Sequence, residues 1–100
     1  MKLSPSEELI LRAIAHREMY GAEIAKALLE CCDRNIREGT LYPSLRSLRK
    51  KRLVSRLTEA TNSTVRDYYK LTDLGIGTLS AINEGFEKLN NWEKENAGRK

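Results

Sequence analysis

Hydrophobic positions in the first half of the chain recur at helical spacing. Ile10, Leu11, Ile14 and Ala15 form one stripe, Ile24, Ala25 and Leu28 a second, and Leu41, Leu45 and Leu48 a third. Steps of three and four place such side chains on one face of an α-helix. Ser4-Pro5-Ser6-Glu7 marks the first start, with a serine N-cap, proline at the first helical position and glutamate three residues after the cap. This predicts a helix running to about Arg17. Ala22 to Leu29 predicts a second, ending near Cys32–Arg34. Asn35-Ile36-Arg37-Glu38 repeats the cap-to-glutamate spacing and predicts the start of a third, with Pro43 tolerated near its first turns although it removes one backbone hydrogen bond.

The period then changes. Leu53–Glu59 and Val65–Leu71 are β-prone runs in partial alternation, and Ala60–Thr64 between them is polar and turn-like. A link this short makes an antiparallel hairpin. Tyr69 and Leu71 should point inward, leaving Tyr68 partly exposed. From Thr72, a natural N-cap, helical spacing returns as far as Glu95. Leu79, Ile82, Phe86 and Leu89 follow one another by three, four and three, a heptad seam that Trp92 extends. The predicted fold is mainly α with a β-hairpin wing. A winged helix-turn-helix occupies residues 1–72, a long C-terminal dimerisation helix residues 73–96, and a frayed tail residues 97–100.

Composition narrows the function classes. The 100 residues carry 18 Lys+Arg against 14 Asp+Glu, for a net charge of +4, and 40% are hydrophobic. That is the balance of one small soluble domain, and a chain this short gains stability by pairing with a second copy. No apolar run approaches the roughly 20 residues of a membrane span, and no secretory signal pattern opens the chain. Cys31 and Cys32 are adjacent and read as reduced thiols of a cytoplasmic protein. With His16 the one histidine, no zinc set can be assembled, and no cofactor is expected. Neither a carboxylate pair, a nucleophile with a nearby base nor a phosphate-cradling glycine loop stands out, so an enzyme is not expected.

The position of the charge says more than its total. Residues 33–70 hold ten basic and four acidic side chains, net +6, while each flanking segment is net −1. Such a concentration suits a polyanion, because each phosphate neutralised releases a counterion. In a winged helix the third helix enters a DNA groove. Thr40, Tyr42, Pro43, Ser44 and Ser47 would share its outward face, and Arg46 is the best candidate for a base edge, its planar fork matching guanine. Lys50, Arg37 and Arg66 suit phosphate contacts, and Ser63 and Thr64 at the wing tip are small hydrogen-bonders that can approach the DNA backbone. Lys51 and Arg52 read as solvated. Gly21 and Gly39 suit close approach of backbones at helix ends.

Gly39-Thr40-Leu41-Tyr42-Pro43-Ser44-Leu45 resembles the GTLYPxL signature of the PadR family of transcriptional regulators. Tyr20-Gly21-Ala22-Glu23-Ile24 is similar to that family's YGYEI, and it adds Tyr20 to the candidate DNA-facing set. Arg66-Asp67-Tyr68-Tyr69-Lys70-Leu71-Thr72 resembles its RxYYxLT wing strand, and Thr72-Asp73-Leu74-Gly75 its TxxG start of the last helix. The resemblance spans roughly residues 10–80. Ala22 departs from it by replacing a tyrosine, and Arg52 stands where a glycine usually ends the third helix. The resemblance implies a repressor that binds double-stranded DNA as a homodimer on a palindromic operator, with half-sites about one helical turn apart. Leu79, Ile82, Phe86, Leu89 and Trp92 would carry the dimer contact. Since some relatives in fold bind flat drugs between their last helices, Phe86 and Trp92 are also candidates for stacking a small aromatic effector. The alternative function is a winged-helix protein-interaction or assembly module without specific DNA binding.

Overall fold

A computed structural model describes residues 2–96. The expected tail at 97–100 and the Phe86 side chain lie outside the described residues. The elements in chain order are α1 (Pro5–Ala13), β1 (Met19–Tyr20), α2 (Gly21–Cys32), α3 (Glu38–Lys50), β2 (Val54–Ala60), β3 (Val65–Leu71) and α4 (Asp73–Asn96). The three strands form one antiparallel sheet in the order β1-β3-β2.

The capping box of α1 forms in both directions, with the Ser4 N–H donating to Glu7 Oε1 at 3.0 Å and the Glu7 N–H to Ser4 Oγ at 3.1 Å. The helix ends at Ala13 rather than Arg17, and Ile14 leaves it at φ −93° and ψ 6°. The reason lies far along the chain. Met19 is buried and pairs with Tyr69, and Tyr20 pairs with Tyr68, so the segment must leave the helix to reach the free edge of β3. This third strand has no local signal of its own.

The third helix starts at Glu38 with Arg37 as its N-cap, not at Asn35, and no side chain caps it. Ile36 packs partly buried against the core, and extended backbone at Arg37 (φ −85°, ψ 156°) turns the chain so that it can. The Arg37 carbonyl then accepts the Thr40 and Leu41 N–H groups at 2.9 and 2.8 Å. Pro43 sits inside α3 on its exposed side, where solvent serves the carbonyl that its missing N–H leaves free.

The core unites Ile10, Leu11 and Ile14 of the first helical segment with Ile24 and Leu28 of α2 and Leu41, Leu45 and Leu48 of α3. Leu53, Val54, Tyr69, Leu71 and Leu79 close it from the sheet and α4. Tyr69 and Leu71 face inward and Tyr68 is half-buried, as their alternation predicts. Strand β2 begins one residue later than expected, because Leu53 is fully buried in the corner that precedes it.

That corner ties α3 to α4. Arg52 adopts the left-handed backbone, φ 62°, and its carbonyl accepts the Thr72 hydroxyl at 2.6 Å. The same hydroxyl oxygen accepts the Gly75 N–H at 3.0 Å, so Thr72 caps α4. Thr72 also donates its own N–H to the Leu53 carbonyl at 3.0 Å. A Cβ at Gly75 would run into that same carbonyl, so only glycine lets the start of α4 lie this close. By contrast, a Cβ at Gly39 would meet nothing, and the close approach expected there is absent.

Among the described residues one charged side chain, Glu7, is buried in this frame. Glu7 Oε2 accepts from Lys51 Nζ at 2.7 Å and from Ser47 Oγ at 3.1 Å, pinning the last turns of α3 to the first turn of α1. Lys51 is therefore an internal partner, not a solvated cation. Burial alone would push the Glu7 carboxyl up. The hydrogen bonds from Lys51, the Ser4 N–H and Ser47, with the Lys51 charge, outweigh it and hold the carboxyl below its ordinary value of 4.5.

Two outcomes follow for stability. Left-handed backbone costs an L-residue roughly 1–2 kcal/mol, and glycine's greater unfolded freedom gives back part of the relief. Arg52→Gly is expected to raise stability by about 0.5–1 kcal/mol, read as a higher urea midpoint. Glu7→Gln is expected to cost about 1–3 kcal/mol at pH 7. Because the folded carboxyl titrates below its unfolded value, that contribution is complete above pH 4.5 and is lost as pH falls through the folded pKa. Melting curves of the two proteins should converge in acid; a constant gap would contradict the pairing.

Candidate nucleic-acid interface

The buried stripe Leu41, Leu45 and Leu48 sets which side of α3 meets solvent. Thr40, Tyr42, Pro43, Arg46 and Lys50 are exposed there, and Arg37 is exposed at the helix start. Two expected members of this face lie elsewhere. Ser44 is half-buried at its margin. Ser47 turns inward, donating its hydroxyl to Glu7, since its position on the helix is taken by the contact with α1. Ser47 therefore leaves the outward set.

Tyr42 is 40% exposed, its ring resting against the start of α2. A Cβ at Gly21 would lie 2.5 Å from the Tyr42 hydroxyl, so the bare glycine makes room for the ring. The close approach expected at Gly21 is real, but its partner is a side chain rather than backbone. A recess of about 230 Å³ opens here, between α3 and β3, lined by Tyr20, Tyr42, Arg66 and Tyr69 among others.

The wing stands beside it. Ser63 and Thr64 are exposed at the tip. Thr64 is already engaged in the turn: its N–H donates to Thr61 Oγ1 at 3.1 Å, its hydroxyl lies 3.0 Å from the same oxygen, and its carbonyl accepts the Thr61 N–H at 2.7 Å. Arg66 holds its guanidinium carbon 4.8 Å from the centroid of the Tyr20 ring, a cation–π contact. Tyr20 in turn meets Tyr68 edge to face, centroids 5.7 Å apart at 84°. Glu23, beneath this stack, accepts the Tyr20 N–H at 3.2 Å and pairs with Arg17 at 3.0 Å. Slight burial raises the Glu23 carboxyl, but the Tyr20 N–H, Arg17 and the more distant Arg66 charge bring it below its ordinary range. Tyr20 is thus half-buried, a support under Arg66. Sequence spacing carries no signal for this, because residues 20, 66 and 68 meet only when β1 joins the sheet.

The matching family is described as the transcriptional regulator PadR-like family, and its profile covers residues 10–81. The chain belongs to the PadR-like family. No curated protein matches it. Among solved structures it is similar to a PadR family transcription regulator from Clostridium difficile R20291. There the identity is 25%, over 95% of this chain and 100% of that one, with a TM-score of 0.82. A PadR-like transcription factor from Bacteroides fragilis shares 29% identity over 91% and 88% of the two chains, at a TM-score of 0.83. A PadR-like transcriptional regulator from Bacillus cereus shares 25% over 94% and 92%, at 0.77.

As a PadR-like protein the chain is a DNA-binding transcriptional regulator and not an enzyme. None of its described helices is long and apolar enough to cross a membrane. Its departures from the family motifs have a structural form. Arg52 takes the left-handed backbone itself, and Ala22 is exposed beside the recess.

The C-terminal seam is divided. Leu79 is 7% exposed and belongs to the chain's own core, whereas Ile82 is half-buried and Leu89 and Trp92 are 56% and 60% exposed. Leu74 and Ile76 near the start of α4 are also exposed apolar side chains, and the heptad spacing did not single them out.

The stack under Arg66 generates a test. If Tyr20 acts by holding Arg66, Tyr20→Phe keeps duplex affinity, while Tyr20→Leu and Arg66→Ala each lose about 1–2 kcal/mol. The double variant should lose little more than either alone. Additive losses in titrations of labelled duplex would mean that Tyr20 acts independently of Arg66.

Proposed function

We propose that this PadR-like protein represses transcription as a homodimer on a palindromic operator. The single observation that carries the reading is the outward face of α3. Thr40, Tyr42, Arg46 and Lys50 stand in solvent, none of them part of the chain's own core, and Tyr42 shares a recess with Arg66 of the wing. Arg46 reads a base edge, and Lys50, Arg37 and Arg66 neutralise phosphates. Pro43 brings the helix surface close to the groove wall, while Ser63 and Thr64 bring the wing tip to the DNA backbone.

Pairing follows from α4. Leu89 and Trp92 project from a 24-residue helix, and the chain is elongated, with extents of 65 × 28 × 21 Å. A second copy packed along α4 covers these side chains and presents two α3 helices related by a two-fold axis, which matches inverted half-sites about one helical turn apart. Bound across a promoter, such a dimer blocks transcription. Trp92, exposed on α4, is also where a small flat aromatic effector would stack to relieve repression.

Mobility shifts on the DNA upstream of its own gene test the DNA surface. Binding should weaken steeply with salt. Arg46→Ala should cost about 1–3 kcal/mol and relax preference at one base pair, and Lys50→Ala should lower the salt slope by about 1. Indifference to both substitutions would remove this face from the reading. A chain that ignores even nonspecific duplex at low salt would instead be an interaction module. For the seam, sedimentation of Trp92→Glu should show a monomer, and an unchanged dimer would place the contact elsewhere.

A further inference from the structure

We propose that Cys31 and Cys32 form a dithiol site that captures a thiophilic trivalent metalloid, an arsenic(III) or antimony(III) species. Free cysteine is among the most buried residue types, yet both of these thiols are exposed and unbonded. They occupy the last turn of α2, outside the core. The two side chains are in hydrogen-bond contact with each other, which holds the Cys32 thiol above its ordinary range. The pair is two adjacent thiols on one helical turn, both open to solvent.

The donor count selects the ligand. Among the described residues no third His, Cys, Asp or Glu joins a metal-binding group, whereas structural zinc needs four ligands. A disulfide between adjacent helical cysteines meets poor geometry. A trivalent metalloid needs just two soft donors and keeps its third bond to its own substituent. Condensation with an organoarsenic(III) dihydroxide breaks two S–H bonds and two As–OH bonds. It forms two As–S bonds and releases two waters, with no oxidant, no reductant and no change in net charge. The neighbouring Glu30 and Asp33 carboxylates therefore do not oppose it.

The position also couples the site to α3. On an α-helix adjacent side chains diverge by about 100°, and a chelate must draw these two together. The turn that would twist is the one whose Leu28 and Leu29 carbonyls accept the Arg34 and Asp33 N–H groups, each at 3.1 Å. Asp33 there holds a left-handed backbone (φ 54°). Residues 33–37 lead directly from this cap to Arg37 at the start of α3. The effect on duplex binding rests on the function proposed above; capture itself does not.

Full-length protein is titrated with phenylarsine oxide and followed by native mass spectrometry and thiol counting. One adduct per chain is expected, with both thiols consumed. It should survive excess monothiol and be stripped by dithiothreitol. Cys31→Ser and Cys32→Ser, both at exposed positions that leave the core intact, are each expected to bind about a hundredfold more weakly, since each loses the second intramolecular bond. A single-cysteine variant binding as tightly as the parent, or an adduct removed by monothiol, would overturn the site. In a second arm, the adduct is expected to lower duplex affinity about tenfold. An unchanged affinity in protein that does bind duplex overturns the coupling, and protein that never binds duplex overturns the earlier reading instead.

Discussion

Burial of three leucines on one side of α3 is the constraint from which the rest of the molecule follows. Leu41, Leu45 and Leu48 are each at most 2% exposed, and burying a leucine is worth roughly 1.5–3 kcal/mol. A rotation of α3 by even one residue position would expose part of that stripe. The angle at which Tyr42, Arg46 and Lys50 stand is thus determined by residues that never touch a partner. A side chain held at a fixed angle in this way can engage a partner without being ordered at that moment.

Polar contacts refine what burial establishes. Leucine packing fixes rotation but resists sliding along the helix axis only weakly. The Glu7 carboxylate, bonded to Ser47 and Lys51, supplies a directional pin between the first turn of α1 and the end of α3. At the other end, the corner of Arg52, Leu53, Thr72 and Gly75 fastens α3 and the hairpin to α4. The start of α4 is therefore coupled to α3 through a hydrogen-bonded joint rather than a loose linker. Arg12 adds a second joint, reaching Asn83 of α4 at 2.7 Å from α1.

The wing is held by a different device. Strand β1 contributes two residues, yet it brings Tyr20 against Tyr68 and beneath Arg66. An arginine on a two-stranded ribbon would sample many rotamers. Seated on an aromatic face it keeps its charge available while losing little of its hydration. The recess between this stack and Tyr42 is the point where helix and wing meet, so its shape sets the spacing between α3 and the wing.

Local order was legible from residue spacing alone. The capping box at Ser4, the leucine stripe, the hairpin with Tyr69 and Leu71 inward and the cap at Thr72 all depend on interactions within a few residues, or on the burial of one face. The tract Gly39–Leu45 carried the family resemblance, and the charge of the central segment pointed to a polyanion as partner. Among the features that escaped are the early end of α1, the strand at Met19–Tyr20 and the inward turn of Ser47. Each is decided by a partner 40 or more residues away, Tyr68 and Tyr69 for the strand and Glu7 for the serine. Spacing along a chain encodes which face of an element is apolar, but the neighbour that claims a given polar group exists only once the elements have packed.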